Sequence, residues 1–213
     1  MPMSTSLHES AHLTARPGPT AGDVRISDLS NDSIIIRLHF AINHLSRWLT
    51  PIHDVERMDR AVFRDQPSIK ELVIQMREEE RRVFPMLYLM ASENDPDLDR
   101  LPVPVITPEQ EVYDLQRSVL TTLSEFRRLR QSTCSLLRSL TDAGWLRVGT
   151  SRAHHDWQIR PLAESLVAHD EQVLTQIDLA LDRYGLREGV ASHGRAHLYE
   201  LLKIVPVTLR KTT

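Results

Sequence analysis

Four long segments of the chain carry apolar residues at alternating steps of three and four, the spacing of a helix that turns one face toward a core. The first stripe runs from Ile35 to Leu49 and stops before Pro51. The second begins at Pro67-Ser68, where proline suits the first turn of a helix, and ends in the turn-forming run Glu93–Pro96. These two segments are predicted to be helices.

The third and fourth stripes have the same period and clear boundary signals. The third starts at Thr107, which has Gln110 three residues later as in a capping box, and is predicted to be one long helix ending near Leu140. The fourth runs from Ile159 to Tyr184 and stops at Gly185, a natural C-terminal cap. Alternation at period two, the mark of strands, is nearly absent.

Helices of this length with one apolar stripe each are predicted to bury the stripes against one another. We therefore predict an all-α protein whose residues 23–186 form a four-helix bundle. The stretch Leu101–Ile106 contains two prolines, which forbid a central strand, so it is predicted to be an extended part of a long crossover between helices two and three. Residues 1–22 are predicted to be a mobile tail, and residues 187–213 an extension with a short helix near Ala196 to Val205.

Composition narrows the class of protein without naming a function. The chain has 213 residues, of which 41% are hydrophobic and 26% charged, as in ordinary globular proteins. Its formal charge of −3 gives no sign of a nucleic-acid partner. No apolar run approaches the length of a membrane span, and the start lacks the apolar core of a secretory signal. The single Cys134 excludes an intrachain disulfide. Because the sequence also lacks a secretory signal and a membrane span, we expect a cytoplasmic protein with no membrane partner.

Two of the stripes contain a polar residue where a hydrophobic one is expected. Four residues after Met76 comes Glu80, and three residues after Leu166 comes His169. Burying such groups is costly unless they are paired. Either His169 is a satisfied core histidine and Glu80 pairs with an arginine, or the two side chains face each other across a central pocket and handle a proton or a ligand. The arginines considered as partners of Glu80 are Arg81, Arg128 and Arg160.

Three other features could in principle carry metal or redox chemistry, but none of them is predicted to be a functional site. His8-Glu-Ser-Ala-His12 matches the zinc-protease motif His-Glu-x-x-His, but it precedes a Pro- and Gly-rich stretch and lacks the buried helix that the motif requires. His154 and His155 are expected to be solvated in the loop before the fourth helix. Cys134 has no Cys-x-x-Cys partner, so a reactive role is not predicted.

Two segments resemble a known family. Ser68-Ile-Lys-Glu-Leu leads through Gln75 to Glu80, which is similar to the second helix of DinB/YfiT-like proteins. Trp157-Gln-Ile-Arg160, followed by Leu-Val-Ala-His169-Asp170, resembles their fourth helix, whose signature is His-Asp-x-x-His. The resemblance spans about 150 residues, from Ser33 to Tyr184, and implies a four-helix bundle with a long crossover.

The resemblance also implies a metal site, because members of this family bind zinc or nickel through three histidines. The second-helix ligand position falls on Gln75, or on Met76 if the helix is shifted by one residue. The two fourth-helix positions fall on His169 and Val173. Only His169 retains a ligand, since valine cannot bind a metal and an amide oxygen is a poor ligand for these ions. We therefore predict that the protein has no metal and no other cofactor.

These observations leave three hypotheses on function. The first is a metal-free module that binds a small molecule or another protein, with pocket candidates at His169, Glu80, Gln75 and Val173. The alternative is a thiol-dependent S-transferase or isomerase, as the resemblance implies, with a weak zinc or nickel site or none and a low-molecular-weight thiol as cosubstrate. The third is a purely structural homodimer, and a homo-oligomer is expected in any case. The sequence identifies no catalytic residue.

Overall fold

A computed structural model describes residues 24–61, 64, 66–102, 104–152, 157–188 and 195–210. The predicted tail 1–22 and the pair His154 and His155 lie outside these residues. The helices are α1 (Asn31–Leu49), α2 (Ile69–Ser92), α3 (Pro108–Gln116), α4 (Val119–Ser139), α5 (Asp142–Trp145), α6 (Ile159–Arg183) and α7 (Leu198–Lys203). Short 3-10 helices cover Ile26–Asp28, Val55–Met58 and Leu98–Arg100.

The predicted all-α four-helix bundle is confirmed, and its long helices are α1, α2, α4 and α6. Helix α2 packs mainly against α4 and α6, and α1 packs against the same two helices. The order around the bundle is therefore α1, α4, α2, α6, so that the consecutive helices α1 and α2 lie diagonally opposite each other. Two clusters of buried apolar side chains form the core, one at each end of this arrangement.

The helices begin where the sequence provides caps. The Ser68 hydroxyl accepts the Glu71 backbone N–H, and the Glu71 carboxylate accepts the Ser68 N–H in return, which completes a capping box. Thr107 caps α3 in a similar way by accepting the Gln110 N–H. These caps satisfy backbone donors that a helix start would otherwise leave free.

The prediction of one long third helix is wrong. The chain leaves the helical conformation at Arg117 and Ser118, and Ser118 then caps α4. The apolar spacing from Val112 through Leu115 to Val119 continues across this break. Val119 is buried in the core, whereas Val112 and Leu115 are exposed, so α3 is a separate short helix on the outside of the bundle.

The crossover between α2 and α3 is fastened to a small β-hairpin before α6. Strands β1 (Val148–Gly149) and β2 (Trp157–Gln158) pair in antiparallel fashion. Next to β1, the Leu98 N–H donates to the Thr150 carbonyl at 2.7 Å, which ties the crossover to the hairpin. A Cβ atom on Gly149 would lie 2.9 Å from Met90 Cγ and 3.1 Å from Leu98, so glycine is required for this close approach.

The C-terminal segment returns to the start of α1. Helix α7 lies within the stretch where a short helix was expected, and its Leu198 and Leu201 are buried against the bundle core. Beyond it, Leu209 forms an antiparallel bridge with Leu29, and the Ser30 N–H donates to the Thr208 carbonyl at 2.8 Å. Among the helices of the described ranges, none is long and apolar enough to cross a membrane.

Candidate functional site

A cavity of about 800 Å³ lies beside α2 and α6, under the crossover and the β-hairpin. This volume is in the range of small-molecule sites. Helix α2 contributes half of the lining residues and α6 contributes a histidine. The lining residues are Glu71, Ile74, Gln75, Glu78, Glu79, Arg82, Pro85, Met86, Leu98, Leu101, Pro102, Pro104, Ile106, Ser151, Trp157 and His169.

His169 is the α6 residue that lines this cavity. Its side chain is half-buried rather than fully enclosed in the core. The ring nitrogen Nδ1 is shielded from solvent and has no hydrogen-bond partner among the residues that the structure describes. A buried polar atom without a partner is costly, and such atoms in native structures call for an explanation.

A pair of opposite charges on α2 faces the same cavity. Arg82 donates from Nε and Nη2 to the two carboxylate oxygens of Glu79, at 2.9 and 2.5 Å. Burial acts to raise the pKa of Glu79, but Arg82 and the nearby His169 outweigh it and hold this pKa below its usual value. Gln75, one helical turn before Glu79, adds an exposed amide to the lining. Glu79, Arg82, Gln75 and His169 thus form a polar group on one side of the cavity.

The lining from the crossover and the hairpin is mainly apolar and is held in place by tertiary contacts. Leu98 is buried against Gly149, and the Trp157 indole Nε1–H donates to the Ser151 hydroxyl at 3.2 Å. Met86 of α2 completes this wall. A mainly apolar lining with a few polar groups is the usual composition of an organic-ligand site.

Glu80 lies outside this lining, although it follows Glu79 directly. Its side chain is fully buried between α2 and α4, where its Oε2 accepts from Arg130 Nε at 2.7 Å and its other oxygen accepts the Thr133 hydroxyl. The arginine partner is therefore Arg130, and not Arg81, Arg128 or Arg160. Glu80 and His169 are not brought together in the cavity.

Arg130 links Glu80 to Asp170 of α6. Its Nη1 and Nη2 donate to the two oxygens of Asp170, the second at 3.0 Å, and Nη1 also donates to the Leu38 carbonyl of α1 at 3.2 Å. Burial acts to lower the pKa of Arg130, but the two carboxylates outweigh it and raise this pKa. Burial raises the pKa of Asp170, against the opposing effect of Arg130. We call Glu80, Arg130 and Asp170 the buried ion triad; it joins all four long helices.

The donors present do not fit the zinc or nickel site that the resemblance implies. Val173 and Met76 are buried apolar core residues that lie outside the cavity lining, which leaves Gln75 and His169 from the expected positions. Within the described residues, no three His, Cys, Asp or Glu side chains are grouped so that they could hold a metal ion. Zinc sites in proteins use at least three protein ligands of these types.

The cysteine is also unsuited to chemistry in the cavity. Cys134 lies on α4, one turn after Arg130, and is fully buried in the core of the bundle. It does not line the cavity. Burial raises the pKa of its thiol to about 12, so the reactive thiolate is disfavoured near neutral pH.

Sequence reasoning missed several of these residues. Arg130 lies four residues after the core residue Phe126, and Asp170 lies four residues after Leu166, so both occupy stripe positions that stepping along the helix could have found. Glu79 and Arg82 have no such signal, because a charged pair three residues apart on a helix is typical of solvated surfaces. Leu98 reaches the cavity through tertiary contacts that no local pattern indicates.

Comparison with solved structures shows which known proteins have a similar fold. YfiT from Bacillus subtilis, described as a probable metal-dependent hydrolase with an unusual four-helix bundle topology, aligns with 76% of this chain and 99% of its own, with a TM-score of 0.61 and 15% sequence identity. The mycothiol-dependent maleylpyruvate isomerase aligns with 77% of this chain, with a TM-score of 0.50 and 11% identity, and the match spans only 62% of the isomerase. No protein-family model and no curated protein matches the sequence. The chain therefore has the DinB/YfiT-like four-helix-bundle fold, as the resemblance predicted.

Proposed function

We propose that this chain is a cytoplasmic protein that binds a small organic molecule in the cavity beside α2 and α6, without a tightly held metal. The observation that carries the proposal is a cavity of about 800 Å³ that brings the half-buried ring of His169 and the Glu79–Arg82 pair together with a mainly apolar lining. A molecule of mainly apolar surface with one polar end matches this division. Its polar end would lie at His169, Gln75 and the Glu79–Arg82 pair, and its apolar part against Trp157.

Blocking the cavity tests this proposal. The probe is 1-anilinonaphthalene-8-sulfonate, an apolar dye with one polar group whose fluorescence rises in apolar sites. Ile74 lines the cavity and is half-buried, so Ile74→Trp should fill part of it and weaken dye binding about 10-fold. Tyr88→Trp lies on the same helix, outside the lining and 57% exposed, and should leave binding unchanged.

The outcomes of the dye experiment are distinct. Saturable binding that Ile74→Trp weakens and Tyr88→Trp does not would support the cavity as a ligand site. Binding that neither variant changes would place the dye elsewhere, and no saturable binding would contradict the proposal. The dye also binds to partly unfolded chains. Both variants should therefore be shown to unfold cooperatively in urea, as the control that each is folded when the dye binds.

A thiol-dependent transferase or isomerase activity is the second candidate. It is favoured by the proximity of an ionised Glu79 and His169 in one cavity, since a carboxylate and an imidazole can transfer a proton to or from a bound thiol. The thiol would come from a low-molecular-weight cosubstrate, because Cys134 is buried. Glutathione at millimolar concentration should then compete with the dye for the cavity, and failure to compete with wild-type protein would count against this candidate.

A further inference from the structure

A groove of about 400 Å³ between α2, α3 and α4 is lined mainly by arginines. Its volume is in the range of sites for small ligands. Its described lining contains one carboxylate, Glu125, and shares no residue with the cavity beside α2 and α6. The lining residues are Arg77, Arg81, Gln110, Tyr113, Arg117, Glu125, Arg128 and Leu129.

Arg77 holds the groove together, and all three of its side-chain nitrogens are engaged. Nε donates to Glu78 at 2.8 Å. Nη1 donates to Asp114 and Glu125, at 2.9 and 3.0 Å. Nη2 contacts Asp114 and Glu78, at 2.6 and 2.7 Å. Because Asp114 lies on α3 and Glu125 lies on α4, this buried arginine fastens both helices to α2 and is not available to a ligand.

The other three arginines of the groove keep most of their hydrogen-bond donors. A guanidinium group carries five N–H donors. Arg81 uses one nitrogen, which donates to Glu78 at 3.2 Å, and Arg117 uses one, which donates to Glu125. The exposed side chain of Arg128 forms no hydrogen bond or ion pair within the described part of the chain. The pair of Arg81 with Glu78 is a surface contact between residues three apart, so it holds Arg81 only weakly.

The groove has an excess of positive charge. Its four arginines are paired with three carboxylates, so one positive charge has no counterpart among the described residues. The excess is local, because the formal charge of the whole chain is −3. Like charges that line one groove repel each other, and an anion placed among them removes this repulsion. The groove is therefore suited to an anionic ligand.

We infer that this groove binds the phosphate group of a small molecule. Guanidinium groups match the oxygens of a phosphate, which can accept from several of them at once. Arg81, Arg117 and Arg128 supply these donors from α2, the junction of α3 with α4, and α4. A carboxylate has two oxygens in one plane, which suits fewer guanidinium groups. Tyr113 and Leu129 offer apolar surface to the rest of the ligand. The inference does not rest on the proposed function of the cavity.

Isothermal titration calorimetry of the full chain with phenyl phosphate, an aromatic phosphate monoester, tests the inference. Binding should be saturable, and Arg128→Gln should weaken it about 10-fold, because the change removes a charged donor from the groove. Arg127→Gln is the matched control. Arg127 is the preceding residue and is also exposed, but it lies outside the lining and donates to the Ser46 hydroxyl of α1 at 3.3 Å. The same loss of charge at Arg127 should leave the dissociation constant unchanged.

Inorganic phosphate and benzoate show which part of the ligand is recognised. Inorganic phosphate should compete with phenyl phosphate, and benzoate, which has the same ring and a carboxylate, should bind at least about 10-fold more weakly. Tighter binding of phenyl phosphate than of inorganic phosphate would identify an ester as the ligand, and equal binding would identify free phosphate; both support the phosphate site.

Three results would each overturn the inference. The first is a lack of saturable binding at millimolar phenyl phosphate. The second is binding of benzoate as tight as that of phenyl phosphate. The third is equal weakening by Arg127→Gln and Arg128→Gln when circular dichroism shows both variants folded, since this would reveal general attraction to a positive surface.

Discussion

Two pairs of neighbouring residues, Glu79 with Glu80 and His169 with Asp170, show how one step along a helix separates the interior of the bundle from the cavity. Glu80 and Asp170 turn inward and meet Arg130, where ion pairs and hydrogen bonds occupy their carboxylates. Glu79 and His169 turn toward the cavity, where His169 Nδ1 has no partner among the described residues. The buried polar groups therefore fix the relative position of the helices, and the residues beside them line the cavity.

Removal of Arg130 should give the largest effect, because it leaves two carboxylates buried without a cation. We expect Arg130→Met to lower the free energy of unfolding by about 3–5 kcal/mol. The matched change at the cavity, Arg82→Met, removes a partly exposed pair and should cost under about 1 kcal/mol. Urea denaturation followed by circular dichroism measures both values. A loss below about 1 kcal/mol for Arg130→Met would mean that the buried ion triad does not hold the bundle together.

Double-mutant cycles should separate the two regions more finely. Glu80→Leu and Arg130→Met remove the two partners of one contact, so their effects should differ from additivity by about 1–3 kcal/mol. Glu80→Leu and His169→Leu should add within about 0.5 kcal/mol, since the two side chains do not meet. His169→Leu alone should change stability little, because the side chain is half-buried and its Nδ1 has no hydrogen bond to lose among the described residues. Strong coupling of Glu80 with His169 would contradict the placement of Glu80 in the bundle interior and of His169 at the cavity.

More of the fold than of the candidate site could be predicted from the sequence. Apolar stripes and caps indicated all four long helices, because helix periodicity is a local property. The break at Arg117 was missed because the apolar spacing continues through Val112 and Leu115, and only the pairing of Asp114 with Arg77 turns these residues outward. The apolar pattern thus indicates the helical segments but not the short outer helix.

The candidate site was predicted only in part. The apolar pattern identifies Glu80 as a charge on a core stripe. Its partner Arg130 is 50 residues away, and periodicity does not show which distant residue a buried charge will contact. His169 and Gln75 do line one cavity, while Val173 is a core residue outside it. Leu98 enters the cavity wall because the crossover is tied to the hairpin at Thr150, a long-range contact.

The pH dependence of the two regions should have opposite signs. Asp170 has a raised pKa, so its contribution to stability is greatest below its unfolded value and is lost as the pH rises through its folded value. Glu79 has a lowered pKa, so its contribution is present above its unfolded value and is lost as the pH falls through its folded value. Side-chain carboxyl ¹³C shifts followed by NMR should show Asp170 titrating above the usual range for aspartate and Glu79 below that for glutamate. The reverse order would contradict the assignment of Asp170 to the interior and Glu79 to the cavity.

Nitrogen NMR of the His169 ring tests most directly whether the cavity receives an organic molecule and not a metal. Tag-free, ¹⁵N-labelled protein treated with EDTA is titrated with 1-anilinonaphthalene-8-sulfonate and, in a separate sample, with zinc, and the His169 signals are assigned with His169→Gln. We predict that the dye shifts the His169 ring nitrogens in a saturable manner and that equimolar zinc leaves them unchanged. A zinc-induced shift complete at one equivalent, with no response to bound dye, would contradict the proposal and identify the cavity as a metal site.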